Sequence, residues 1–137
     1  MTIEQFIANQ EMERQNILSL IHSLIKEKDK SVSAIIGKMM GKKMIFYHAP
    51  GTFKYGLSSV KKYMSLHLMP IYCAPTLHAK YKALLPKVSF QKGYINFTSS
   101  EELPLEILKS LLTDCAKIDL LKIREDYLQS KKNQTSL

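Results

Sequence analysis

The chain has 137 residues, 45% of them hydrophobic and 23% charged, which suits one globular domain and excludes disorder as its main state. Twenty Lys and Arg against twelve Asp and Glu leave a net charge of +8, so the chain as a whole attracts anions. Two cysteines, Cys73 and Cys115, make no disulfide framework, and no CxxC or CxxCH spacing points to zinc, redox exchange or haem.

Residues 3 to 27 place Ile3, Phe6, Ile7, Ile17, Leu18, Ile21, Leu24 and Ile25 at helical spacings, which predicts one amphipathic helix. Glu4, Glu11, Glu13 and Arg14 within it exclude a signal-peptide core or a membrane span, and the expected address is the cytoplasm. Residues 31 to 39, with Val32, Ile35 and Ile36 before Gly37, read as a short helical turn, and Gly41 marks a break. From Lys43 the period changes. Segments 43 to 48, 53 to 55 and 60 to 68 alternate or carry aromatic residues between Pro50, Gly51 and Gly56, which predicts a strand meander ended by Pro70.

After Pro75, the stripe of Leu77, Tyr81, Leu84 and Leu85 predicts a helix stopped by Pro86. Segments 88 to 90 and 93 to 97 read as strands around Lys92 and Gly93. A last helix starts near Pro104, with Glu101, Glu102 and Glu106 at the positive end of its dipole. Its apolar stripe is Leu108, Leu111, Leu112, Cys115 and Ile118, with Cys115 as a small buried hydrophobe. Residues 131 to 137 are expected as a flexible tail, leaving 1 to 130 as one domain. Helices at both ends and strands between them predict an α+β domain, a mostly antiparallel sheet covered on one face by the N- and C-terminal helices.

The charge is unevenly placed. No Asp or Glu occurs from 30 to 100, whereas Lys30, Lys38, Lys42, Lys43, Lys54, Lys61, Lys62, Lys80, Lys82, Lys87 and Lys92 all do. Unopposed lysines on the open side of a sheet would sum into an anion-attracting potential. In the segment 60 to 68, Val60, Met64, Leu66 and Leu68 alternate with Lys61, Tyr63, Ser65 and His67, which places the second set on the face away from the helices. The same reasoning puts Lys92, Tyr94 and Asn96 on that face, and Lys43 with Tyr47 as its extension from the first strand. Cations, hydroxyls and flat rings together are the groups that hold a phosphate and stack a base.

No catalytic motif is present. The chain lacks a GxSxG elbow, a Walker loop, GxGxxG, HExxH and paired carboxylates in its central region. His48, His67, His78 and Cys73 have no metal-ligand spacing, so no metal or other cofactor is expected. Nucleic acid is a candidate partner without a motif to support it, and an acidic protein surface is another.

The runs KKMIFYHAPGTFKYGLSSVKKYMSLHLMPIY, LHAKYKALLPKVSFQKGYINF and EELPLEILKSLL resemble the YdhG-like domain of unknown function, over about residues 15 to 125. The resemblance implies a frataxin-like fold, a sheet flanked by helices from both chain ends. It also implies an intracellular iron-chaperone role, for which Glu4, Glu11, Glu13, Glu27 and Asp29 are the early carboxylates. Residues matching the family's most specific pieces are Lys62, Tyr63, Ser65, His67, Lys92, Asn96 and Pro104. The expectation is a non-enzymatic binding domain taking an anionic or nucleotide-like ligand on Lys43, Tyr47, Lys61, Tyr63, Ser65, His67, Lys92, Tyr94 and Asn96. The alternatives are an iron chaperone and a protein-interaction domain for an acidic partner.

Overall fold

The structure is a computed structural model that describes residues 1 to 135. The chain starts on a capping box, Thr2 and Gln5 exchanging side-chain-to-backbone bonds of 2.9 and 3.1 Å at the head of α1 (Ile3–Ala8). The helix expected over 3 to 27 is thus two. Asn9 caps α1, and the Gln15 side chain donates to the carbonyls of Ala8 and Gln10 at 3.2 and 2.8 Å beside the start of α2 (Met12–Lys28).

Residues 33 to 39 form a strand, β1 (Ser33–Met39), where a helical turn was expected. It pairs with β2 (Lys42–Ala49) through the two-residue turn Met40–Gly41, whose φ angles of 53° and 81° are both positive, as a hairpin turn matching strand twist requires. Then follow β3 (Thr52–Ser59), β4 (Met64–Leu68), α3 (Met69–Cys73), α4 (Pro75–Leu84), β5 (Ser89–Phe90), β6 (Tyr94–Phe97), α5 (Leu105–Ala116) and α6 (Leu120–Thr135). The strand expected from residue 60 begins at Met64, because the Val60 amide bonds the Tyr63 carbonyl at 2.9 Å and turns the chain. Residues 131 to 135, expected as tail, are the last turn of α6, and 136 and 137 lie outside the described residues.

The fold is α+β, with an antiparallel six-stranded sheet in the order β1-β2-β3-β4-β6-β5. One sheet face carries Ile45, Tyr47, Tyr55, Leu57, Leu66, Leu68, Ile95 and Phe97, all buried with Leu18, Ile21 and Ile25 of α2 and Leu108, Leu111, Leu112 and Cys115 of α5. That is the core. The α4 stripe contributes Tyr81, Leu85 and part of Leu77, while Leu84 is exposed.

One irregularity shapes this face. Tyr47 opposes Tyr55, but the next residue, His48, opposes Phe53, so Lys54 is an extra residue in β3. Such a bulge turns two successive side chains to the same side. Lys54 and Tyr55 therefore both reach Asp29 at the C-terminal cap of α2.

Candidate functional site

The face away from the helices is best described by the rungs that cross it. Strand register aligns Ser58, Ser65, Asn96 and Ser89 in one row across β3, β4, β6 and β5. Ser65 donates to the Asn96 side-chain oxygen at 2.5 Å. The next row runs Ile35, Phe46, Gly56, His67 and Tyr94 from β1 to β6. His67 and Tyr94 rings lie 5.2 Å apart, and Phe46 meets Phe53 edge-on at 5.5 Å. Gly56 leaves room for Phe53 and Met44: a Cβ there would stand 3.1 Å from Phe53 Cζ and closer still to Met44. The face is therefore polar over β4, β6 and β5 and apolar over β1 to β3.

The lysines stand at its rim rather than on it. A cleft of about 350 Å³ at the polar end is lined by Lys62, Tyr63, Lys87, Ser89, Asn96, Phe97, Thr98 and Glu102. Lys62 and Tyr63 come from the turn before β4, and Lys87 from the loop after α4. Arg14 of α2 holds that turn, donating to Ser59 Oγ at 2.7 Å, to the Val60 carbonyl, and to the Lys61 carbonyl at 3.0 Å. Three exposed tyrosines, Tyr63, Tyr72 and Tyr94, lie on this half of the molecule, and Lys92 Nζ sits 5.2 Å from the centre of the Tyr72 ring.

Of the nine residues expected on this face, Ser65, His67, Tyr94 and Asn96 are there, and Tyr63 borders it. Tyr47 is not. It is fully buried on the helix side, its hydroxyl 2.6 Å from His22 Nδ1. Lys43 shares its strand parity with Ile45 and Tyr47, and with Lys61 lines a separate cleft of about 470 Å³ beside Asn9 and Gln10. The strand KKMIFYHA is apolar on both faces, so no alternation fixes its register. The sequence reading missed Arg14, Lys87 and Ser89; Lys87 and Ser89 were legible only as part of the lysine excess and a weak strand.

The acid-free stretch is not acid-free in space. Lys54 is 2.7 Å from Asp29 and buried with it, and Lys80 is 3.0 Å from Asp114. Asp114 also accepts from the Tyr81 hydroxyl, and burial together with that bond pushes the Tyr81 phenol up. Burial pushes the Asp29 carboxyl up, but bonds from Lys54, Ser31 and Tyr55 outweigh it and hold the group below its ordinary value. Glu102 behaves likewise: burial raises it, and bonds from Thr98 and Ser99 more than reverse this, with the Lys87 charge adding to them. Burial lowers the pKa of His67, favouring the neutral ring over the cation.

His48 stacks on Phe46 and His78 bonds the Gln91 carbonyl at 3.1 Å. Among the described residues no group of three or more His, Cys, Asp and Glu is placed to hold a metal ion, and no helix is long and apolar enough to cross a membrane. The chain matches no protein-family model, no curated protein and no solved structure.

Proposed function

We propose that this chain is a non-enzymatic binding domain for an anionic, nucleotide-like ligand, seated at the polar end of the open sheet face. The observation that carries the reading is the cleft lined by Lys62, Lys87, Tyr63, Ser89 and Asn96, in which two lysines outnumber the single carboxylate, Glu102, itself bonded to Thr98 and Ser99. Two ammonium groups supply charge for a phosphate, hydroxyls and an amide supply donors, and an exposed tyrosine supplies a stacking surface. The ligand enters from the cytoplasm in this reading, and the domain belongs with the YdhG-like proteins, which the order of helix, sheet and helix supports. The binding residues are accordingly Lys62, Tyr63, Lys87, Ser89 and Asn96, with Tyr94 and Lys92 at the margin.

The test is calorimetric titration of the purified chain with inorganic phosphate and with ADP, at low and high salt. Binding that weakens with salt, and that is lost in Lys62→Glu with Lys87→Glu, is the expected result. Equal affinity in that double variant would remove the cleft from consideration.

A further inference from the structure

Lys54, buried with Asp29, lines a further cavity on the helix side of the sheet. This space of about 300 Å³ lies between the β2–β3 turn and the α5–α6 connection, lined by Ser31, Ala49, Pro50, Lys54 and residues 116 to 121. Ala49, Pro50, Ala116, Ile118, Leu120 and Leu121 make most of its wall apolar. Leu121 also lies against Gly51 of the β2–β3 turn.

The charges here are not equally committed. Asp29 Oδ1 accepts from the Ser31 amide at 3.1 Å and the Ser31 hydroxyl at 2.5 Å, and Oδ2 accepts from the Tyr55 hydroxyl and Lys54 Nζ, both at 2.7 Å. The carboxylate is full. An ammonium has three donors, and Asp29 is the one hydrogen-bonding partner that Lys54 has among the described residues. Lys54 is 2% exposed and lines the cavity, and apart from its 5.7 Å approach to the Tyr55 ring centre its ammonium keeps donor capacity beyond the Asp29 bond. Lys117 lines the same space, while Asp119 is engaged by the Lys122 amide at 3.0 Å at the start of α6.

A buried ion pair is a poor stabiliser, since well-packed apolar residues in its place are often as good or better. A bulge that turns a lysine into an apolar layer beside a cavity therefore points to a use for the cation. We propose that this cavity binds a small carboxylic acid with an apolar body, its carboxylate on Lys54 and its carbon skeleton against Ala49, Pro50, Ala116 and Leu121. A volume at the low end of ligand pockets, which span about 300 to 1,000 Å³, limits the ligand to a few carbons or one ring. The site is separate from the Lys62–Lys87 cleft and does not depend on that reading.

Backbone amide NMR of the full chain, titrated with benzoate and with benzyl alcohol, tests this. Saturable shifts at Ser31, Ala49 and residues 116 to 121, with a Kd of about 1 mM or tighter for benzoate and at least about tenfold weaker binding of the alcohol, are expected. Ala116→Leu fills the cavity and leaves the ion pair intact, and should weaken benzoate about tenfold. Lys54→Met combined with Asp29→Asn removes both charges without stranding either, and should do the same; should that variant fail to fold, Ala116→Leu decides. No saturable shift, equal affinity for the alcohol, unchanged binding in Ala116→Leu, or shifts only around Lys62 and Lys87 would each overturn the proposal.

Discussion

The Tyr47 hydroxyl lies 2.6 Å from Nδ1 of His22, and their rings are tilted by 41° with centroids 5.6 Å apart, which ties β2 to the middle of α2. Burial, helped by the Lys26 charge and opposed by Glu4, holds the His22 pKa below its ordinary 6.5; burial alone does so for His67. Well above 6.5 both histidines are neutral folded or unfolded, and their packing is retained in full. As pH falls below that value the unfolded chain takes up protons that the folded chain resists, so stability drops until the lowered folded values are passed. Melting temperature should therefore fall between pH 7 and 5, and the slope should flatten in His22→Gln. Equal slopes in both proteins would show that His22 does not drive the effect. Asp29 adds its own loss only at lower pH, because its carboxyl is held below 3.8.

Tyr47→Phe removes one hydrogen bond from the core and should cost about 1 kcal/mol in urea denaturation. Phosphate affinity should be unaltered, since Tyr47 is on the helix side of the sheet. A large change in affinity would place Tyr47 in the binding machinery after all.

Lys54→Met should be far more costly, about 3 to 5 kcal/mol, because it leaves Asp29 buried and uncompensated. Adding Asp29→Asn should recover part of that loss. If the double variant is no better than the single one, the cost lies in packing around the bulge and not in a stranded charge.

Arg14→Met should release the turn of residues 60 to 63. Hydrogen bonds to charged groups contribute about 1.5 to 3 kcal/mol each where they are well formed, and Arg14 is half-buried, so a total loss near 2 kcal/mol is expected. The phosphate affinity of the cleft should fall with it, because Lys62 and Tyr63 lose their fixed position. Wild-type affinity in a destabilised Arg14→Met protein would show that the turn does not position them.

The α+β class, β2 to β4, β6, α4 and the Pro104 start of α5 were legible because periodicity changes sharply there and Pro or Gly punctuates it. β1 was not. Val32, Ile35 and Ile36 have a spacing that a helix and a short apolar strand share, and only pairing with β2 across Met40 and Gly41 decides between them. α6 escaped notice because its described side chains are almost all exposed, so it has no apolar stripe to read. On the candidate site, Ser65 and His67 followed from clean alternation in β4, whereas Tyr47 was misplaced in a strand without any. The lysine excess was real, but its partial neutralisation by Asp29 and Asp114 is tertiary and has no local signature.

Among the described residues, the buried part of α6 is its first turn. Leu120 is buried, Leu121 is half-buried, and the described side chains beyond them are exposed. Sixteen residues is near the length at which an isolated helix is marginal in water, so its persistence depends on that one apolar anchor. In hydrogen exchange it should open as a cooperative unit of its own, at a lower free energy than the sheet and its covering helices. Because Leu120 and Leu121 are also wall to the cavity beside Lys54, opening of this helix would remove part of that wall.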